Sequence, residues 1–265
     1  MSDDLPSASS ASSPPADGVR IEVRGLRKSY DGHLVLKGID FAVEREEIFV
    51  IMGPSGSGKS VLLKHIIGLE TPDTGEILIE GESIQSPGVM DKYRMAMVFQ
   101  SGALFNSLTV GENVGLYLIE HQLKSPDEIA RIVKEKLEIV GLKGQEDRYP
   151  SDLSGGMKKR VSIARALVIE PQLILYDEPT SELDPVIAVT IGEEILKLNR
   201  RIRVTSIVVS HDRDLAFGIA ARIALMNDGQ ILAVGPPEEL KNNPHPRIQE
   251  FLTAKFNHNM ERSSL

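Results

Sequence analysis

The sequence predicts an α/β fold, and three observations carry that expectation. The apolar run Ile48-Phe49-Val50-Ile51-Met52 breaks into a glycine-rich turn and resumes as Val61-Leu62-Leu63-Lys64, in the order strand, turn, helix. Leu173-Ile174-Leu175-Tyr176 and Val204 to Val209 are short runs with apolar residues for both faces, the pattern of central parallel strands. Residues 101 to about 150 read as helix, with no strong strand among them. The expected architecture is an α/β core with an N-terminal antiparallel β subdomain and an inserted α-helical subdomain at about residues 101–165.

Composition bounds the function. The chain has 265 residues, enough for a sizeable core, with 41% hydrophobic and 26% charged residues, ordinary values for a globular protein. A formal charge of −8 argues against a nucleic-acid partner held by bulk electrostatics. Without cysteine there are no disulfides and no thiolate metal sites. No apolar run approaches the ~20 residues needed to span a bilayer, so work at a membrane would need a membrane-spanning partner. Residues 1–18 are rich in Ser, Pro and Ala and read as a disordered tail. With Asp3 and Asp4 and no Lys or Arg, this stretch reads as neither a secretory signal nor a transit peptide.

From Val19 the pattern is strand-like. Ile21 and Val23 alternate with Glu22 and Arg24, Leu34 to Val43 is again extended, and Tyr30-Asp31-Gly32 turns between them. Tyr30 suits either a packed surface ring or one that stacks on a base. After a helix at about residues 58–68, Thr71 to Gly75 is a turn and Glu76 to Glu80 a short strand. Met95 to Phe99 is a buried strand ending in Gln100, where α/β sheets bind ligands, although a lone Gln there also suits a plain loop. Ser125-Pro126-Asp127-Glu128 starts a helix with a capping box, and Gly141 ends it. The helix from Val186 to about Arg200 precedes the strand to Val209, and a hairpin turns about Asn227-Asp228-Gly229. From Pro236 the chain reads as helix with an apolar face of Ile248, Phe251 and Leu252, and it ends in a second tail, residues 257–265.

The chemistry concentrates in Gly53-Pro54-Ser55-Gly56-Ser57-Gly58-Lys59-Ser60, a GxxxxGKS phosphate loop in its proper strand–helix setting. Glycines let consecutive amides turn toward an anion, and the helix that follows adds its unpaired amides and dipole. Lys59 is placed to reach the β- and γ-phosphates of a nucleoside triphosphate, and the Ser60 hydroxyl to hold Mg²⁺. At the end of the strand Leu173 to Tyr176, Asp177 would hold Mg²⁺ and Glu178 would activate the attacking water. Ser154-Gly155-Gly156 before a helix fits either a second anion site or an ordinary capped helix. Asp184 stands near another helix start, and His211 at a strand's carboxyl end suits a structural role or a γ-phosphate contact.

Six segments together resemble the ATP-binding-cassette ATPases over roughly residues 20–240: residues 53–60, Gln100, LSGGMKKR at 153–160, LILYDEP at 173–179, SELDP at 181–185 and SHD at 210–212. The resemblance implies a P-loop NTPase core of the RecA-like type, the cassette domain covering residues 19–256, and ATP with Mg²⁺ as cofactors. It implies that Tyr30 stacks on adenine, and that Gln100 senses Mg²⁺ and the attacking water and links the site to the helical subdomain. It further implies that His211 contacts the γ-phosphate, and that Ser154, Gly155, Gly156 and Asp184 serve ATP at the interface of a two-fold homodimer. Glu182 departs from the pattern, which often has Gly or Ala there.

A narrower resemblance rests on FQSGALF at 99–105 and NPHPRIQEFL at 243–252, which look like the ATPase of MCE-type lipid transporters, the Mla phospholipid system. It implies a polytopic membrane permease, an MCE-domain lipid-binding protein and, as in some relatives, a small regulatory subunit. The location implied is the cytoplasmic face of the inner membrane. An amino-acid or lipoprotein transporter is the rival within transport. Cassette proteins of ribosomes and DNA repair usually carry two cassettes or a long coiled coil, and neither is visible in this chain.

Overall fold

The computed structural model describes residues 18–253. The tails expected at 1–18, Gly18 apart, and at 257–265 lie outside the described residues. The chain opens with β1 (Ile21–Tyr30), β2 (His33–Val43) and β3 (Ile48–Met52), then α1 (Lys59–Ile66). Next come β4 (Thr74–Ile79), β5 (Glu82–Ser83), α2 (Val89–Lys92) and β6 (Met95–Val98). Three helices follow, α3 (Val110–Glu120), α4 (Pro126–Ile139) and α5 (Gly155–Leu167). The second half runs β7 (Leu173–Asp177), α6 (Pro185–Ile202), β8 (Thr205–Ser210), α7 (Arg213–Ile219), β9 (Arg222–Asn227) and β10 (Gln230–Gly235). It closes with α8 (Pro237–Lys241) and α9 (Pro246–Thr253).

The central sheet has the order β10-β9-β3-β8-β7-β6, with β10 antiparallel to β9 and the other pairs parallel. Its middle strands are apolar on both faces because both faces are covered. Ile48, Val50, Met52, Ile174, Tyr176 and Val208 point into one hydrophobic cluster with the helices α3 to α6. Their neighbours Phe49, Ile51, Leu173, Leu175, Ile207 and Val209 point into the other, against α1 and strands β1 and β2. Each such side chain, fully removed from water, contributes roughly 1.5–3 kcal/mol. The second sheet, β2-β1-β4-β5, is antiparallel throughout and includes the early strands.

Helices α3, α4 and α5 pack against one another. Thr109 and Ser125 cap α3 and α4 with complete capping boxes, each side chain accepting from an amide that the helix leaves unpaired. Three details differ from the sequence reading. Elements β5 and α2 and the turn Pro150–Asp152 are too short to show periodicity. Helix α7 was not anticipated; its start is marked by Asp212, whose carboxylate accepts from the amide of Leu215 at 3.1 Å. The helix expected from Pro236 onward is broken between Lys241 and Pro246, because Pro244 and Pro246 cannot continue a helical hydrogen-bond ladder. Among the described residues no helix is long and apolar enough to cross a membrane.

Candidate functional site

The parallel register brings the site together. Met52 lies beside Ser210 and Asp177 beside Val209, so the loops that leave β3, β7 and β8 open at one sheet edge. That edge is the carboxyl end of the strands, where α/β sheets bind their ligands.

The phosphate loop is shaped for an anion. A Cβ on Gly53 would lie 2.1 Å from the Met226 carbonyl oxygen, so no side chain fits at the start of the loop. Gly56 and Gly58 hold φ of 79° and 100°, which turns the local backbone in a way L side chains disfavour. Gly58 is the N-cap of α1 and supplies no side-chain hydrogen bond, so the first amides of that helix stay open to a ligand. The Ser57 hydroxyl is buried without a hydrogen-bond partner. Lys59 is folded inward: its ammonium donates to the carbonyls of Gly53 at 2.9 Å and Pro54 at 3.0 Å, and lies 3.5 Å from Glu178 Oε1. The Ser60 hydroxyl donates to Asp177 Oδ1 at 2.9 Å.

The two carboxylates have different surroundings. Burial pushes the Asp177 carboxyl above its ordinary range, while the Ser60 hydrogen bond and the Lys59 charge oppose that shift. Glu178 sits at φ 47°, in the left-handed region that a glutamate reaches only at a cost of ~1 kcal/mol. That conformation aims its side chain at the β8 terminus. Glu178 Oε2 accepts from Ser210 Oγ and the His211 amide, both at 3.2 Å, and from His211 Nδ1 at 2.9 Å. The imidazole therefore carries its proton on Nδ1, because a carboxylate only accepts.

The other residues singled out from the sequence are arranged around this centre. Gln100 lies beyond the end of β6, exposed, and shares a cleft of about 770 Å³ with Thr180, Glu182 and His211. Ser154 caps α5, accepting from the Met157 amide at 3.4 Å. A Cβ on Gly156 would stand 2.6 Å from Ile187 Cγ2, so α5 and α6 reach this approach through a glycine. Asp184 caps α6: its Oδ1 accepts from the amides of Val186 and Ile187, both at 3.1 Å. Tyr30 ends β1, half exposed, with its hydroxyl donated to Glu70 and the Lys28 ammonium 5.5 Å from its ring centre. Glu182 holds φ 64°, a conformation at which glycine is at ease.

The fold thus gathers residues 53–60, Asp177, Glu178 and His211, with Gln100 across the cleft. It does not join Tyr30, Ser154 to Gly156 or Asp184 to them by any hydrogen bond or ion pair among the described residues. Three neighbours were given no role of their own from the sequence, although Lys159 and Ser210 lie within the motifs LSGGMKKR and SHD. Ser210 holds Glu178, and Thr180 donates to Asp212 Oδ2 at 3.3 Å. The buried Lys159 donates to the main-chain carbonyl of Gln100. A polar residue closing an apolar strand could have pointed to Ser210. Nothing in the spacing pointed to Lys159.

A glycine cradle, an inward lysine and a hydroxyl–carboxylate pair at the end of a parallel sheet define a P-loop nucleotide hydrolase. The family model described as "ABC transporter" matches residues 36–181, and the chain belongs to that family. It is 39% identical to the probable ribonucleotide transport ATP-binding protein mkl of Mycobacterium leprae, over 90% of this chain and 70% of that protein. It is 42% identical to the spermidine/putrescine import ATP-binding protein PotA of Mesoplasma florum, over 89% of this chain and 66% of that one. Among solved structures it is similar to the dimeric post-hydrolysis state of the ATP-binding cassette MJ0796 bound to ADP and Pi. That match has a TM-score of 0.73 and 32% identity, and covers 82% of this chain and 98% of the other. It also resembles cbiO1 of Clostridium perfringens, part of the transporter complex cbiONQ, with a TM-score of 0.77, 30% identity, and coverage of 88% and 98%.

The chain is therefore an ATP-hydrolysing transporter subunit that takes ATP with Mg²⁺. The residues fit both. The open loop amides and the unpartnered Ser57 hydroxyl suit phosphate oxygens, and the Ser60 hydroxyl and Asp177 carboxylate are hard oxygen donors of the kind Mg²⁺ prefers.

Proposed function

We propose that this subunit powers phospholipid movement between inner and outer membranes, working as a homodimer on a polytopic permease with an MCE-domain lipid-binding protein. The working unit is residues 19–256, seated at the cytoplasmic face of the inner membrane, with the loop and helices between Gln100 and about Pro150 as the docking part. Glu178 is the base that draws the proton from the attacking water, with Ser210 and His211 fixing its carboxylate. Lys59 leaves its resting partners to meet the β- and γ-phosphates, and Gln100 orients the water from across the cleft. Mg²⁺ at Ser60, Asp177 and Gln100 would supply charge neutralisation on the phosphates. Tyr30 stacks on adenine. Ser154, Gly155 and Gly156, unused by their own phosphate loop, serve the ATP of the second copy, and Asp184 supports that interface. No nucleic acid is involved.

The observation that carries the lipid reading is the segment FQSGALF, in which Phe99, Gln100, Ser101, Ala103 and Phe105 are exposed while Gly102 is buried and Leu104 packs on the core. Asn113 is fully buried and ties the last residue of this segment, Phe105, to the loop that enters α3. Its Oδ1 accepts from the Phe105 amide at 2.8 Å, and its Nδ2 donates to the carbonyls of Phe105 at 3.0 Å, Leu108 at 3.1 Å and Thr109 at 2.9 Å. Phe105 is left 53% exposed, and Tyr117, Ile119 and Leu123 are also exposed on or just after α3. A groove of about 1020 Å³ is lined by Tyr93, Tyr117, Leu123 and Arg131, a surface suited to amphipathic helices of a membrane partner.

Gentle solubilisation of the source membranes and purification through a tag on this chain test the reading. A permease, an MCE-domain protein and bound phospholipid are expected, and the same preparation shows any small regulatory subunit. A permease with a soluble solute-binding protein would replace the lipid reading with solute import. The names of the relatives, ribonucleotide transport and spermidine/putrescine import, favour that second reading.

A further inference from the structure

We propose that Lys159, Ser162 and Arg165 form a clasp through which helix α5 sets the position of Gln100, making them positioning residues for hydrolysis. The three stand at intervals of three along α5 and so share one helix face. All three donate to carbonyls of the same short segment. Lys159 Nζ reaches the Gln100 carbonyl, and Ser162 Oγ reaches that of Gly102 at 2.8 Å. Arg165 donates to Gly102 at 2.9 Å and to Ala103 at 2.7 Å. The segment is bent to meet them: Gly102 and Ala103 are consecutive left-handed residues at φ 74° and 47°. A Cβ on Gly102 would fall 2.7 Å from Ser162 Oγ, so the close approach depends on glycine.

The buried lysine is the unexpected member. An ammonium taken out of water to meet a neutral carbonyl is costly, and a methionine would fill the same space without that cost. What the lysine adds is a directed bond to the main chain of Gln100, within reach of the charges of Glu182, Asp177 and Glu178. The helix that carries the clasp begins at Ser154-Gly155-Gly156. The inference rests on the role given above to Gln100.

The test uses the full-length chain with saturating Mg²⁺-ATP and a double-mutant cycle. Lys159→Met and Ser162→Ala are expected to lower kcat by about tenfold to a hundredfold, the effect of small misplacement, with KM for ATP within about twofold. In Lys159→Met, amide exchange should quicken at residues 100–103 and stay unchanged across the rest of α5. In a Gln100→Ala background, Lys159→Met should cost nothing further, because it acts through Gln100. Lys159→Arg, which keeps the charge and a donor, should recover part of the rate. Undiminished turnover in Gln100→Ala would overturn the assignment of Gln100 and the clasp with it. A loss in Gln100→Ala alongside full turnover in Lys159→Met and Ser162→Ala would overturn the clasp alone, as would losses that add. Should Lys159→Met fail to fold, Ser162→Ala and Arg165→Met carry the same cycle.

Discussion

Glu178→Gln separates the ion pair that Glu178 makes from the role of base proposed for it. Glu178 and Lys59 form a pair at 3.5 Å, with side chains only 12% and 6% exposed. Removing one partner of a buried pair costs about 3–5 kcal/mol when the survivor is stranded. Here the loss is smaller, because Lys59 keeps two carbonyl partners and a glutamine oxygen can still accept from Ser210 and the His211 amide. An expected cost of about 1–2 kcal/mol lowers Tm by roughly 2–8 °C for a chain of this size. The same free energy returns on nucleotide binding, since Lys59 no longer leaves an ion pair to reach the phosphates. ATP affinity should therefore rise roughly 5- to 30-fold. Turnover should fall by about 10²–10⁴, because an amide cannot take the proton from water, and the ATP-bound dimer should accumulate. Thermal melts without nucleotide, equilibrium binding of a fluorescent ATP analogue and phosphate release measure the three effects. Unchanged affinity with unchanged Tm would show that the pair does not restrain Lys59. Undiminished phosphate release would remove Glu178 as the base.

Three further perturbations test other parts of the molecule. Gly53→Ala should abolish ATP binding, because its methyl group would stand 2.1 Å from the Met226 carbonyl; titration with the same analogue reports it, and normal affinity would contradict the loop geometry. Glu194 is held above the ordinary carboxylate range by burial, against the opposing charges of Arg160 and Lys197. A raised folded-state pKa means that the stability linked to its proton is present at low pH and lost as pH rises through that value. Glu194→Gln should therefore raise Tm modestly at neutral pH, with the gain vanishing below the ordinary glutamate range, and leave hydrolysis unchanged. A pH-independent shift would refute burial as the cause. Phe105→Asp should leave ATPase activity of the free chain intact and at least halve the permease recovered with it; unchanged recovery would take Phe105 out of the docking surface.

Much of this was legible because it depends on short-range chemistry. GPSGSGKS follows a strand and opens a helix, and the conformations it needs at Gly56 and Gly58 are ones that glycine supplies. The capping box at Ser125 appears in the structure as four consecutive letters suggest. The apolar runs at 48–52 and 173–176 are central strands, as two-faced burial requires. Elements of two to four residues stayed hidden, since burial patterns need several residues to repeat.

The sequence by itself determined the α/β class, the phosphate loop, the paired carboxylates and the cassette motifs, because each is written in adjacent residues whose own propensities and chemistry suffice. Only the tertiary structure decided what those residues do to one another. That Lys59 rests on Glu178 and that Ser210 and His211 share one carboxylate oxygen follow from side-chain directions set by the strand register. The clasp is the plainest case. Lys159 and Gln100 are 59 positions apart, and no local pattern signals that an exposed-looking basic turn is buried against a distant carbonyl. Contacts of that kind arise when separate elements pack on a shared core, and their energies belong to the packing and not to either segment alone.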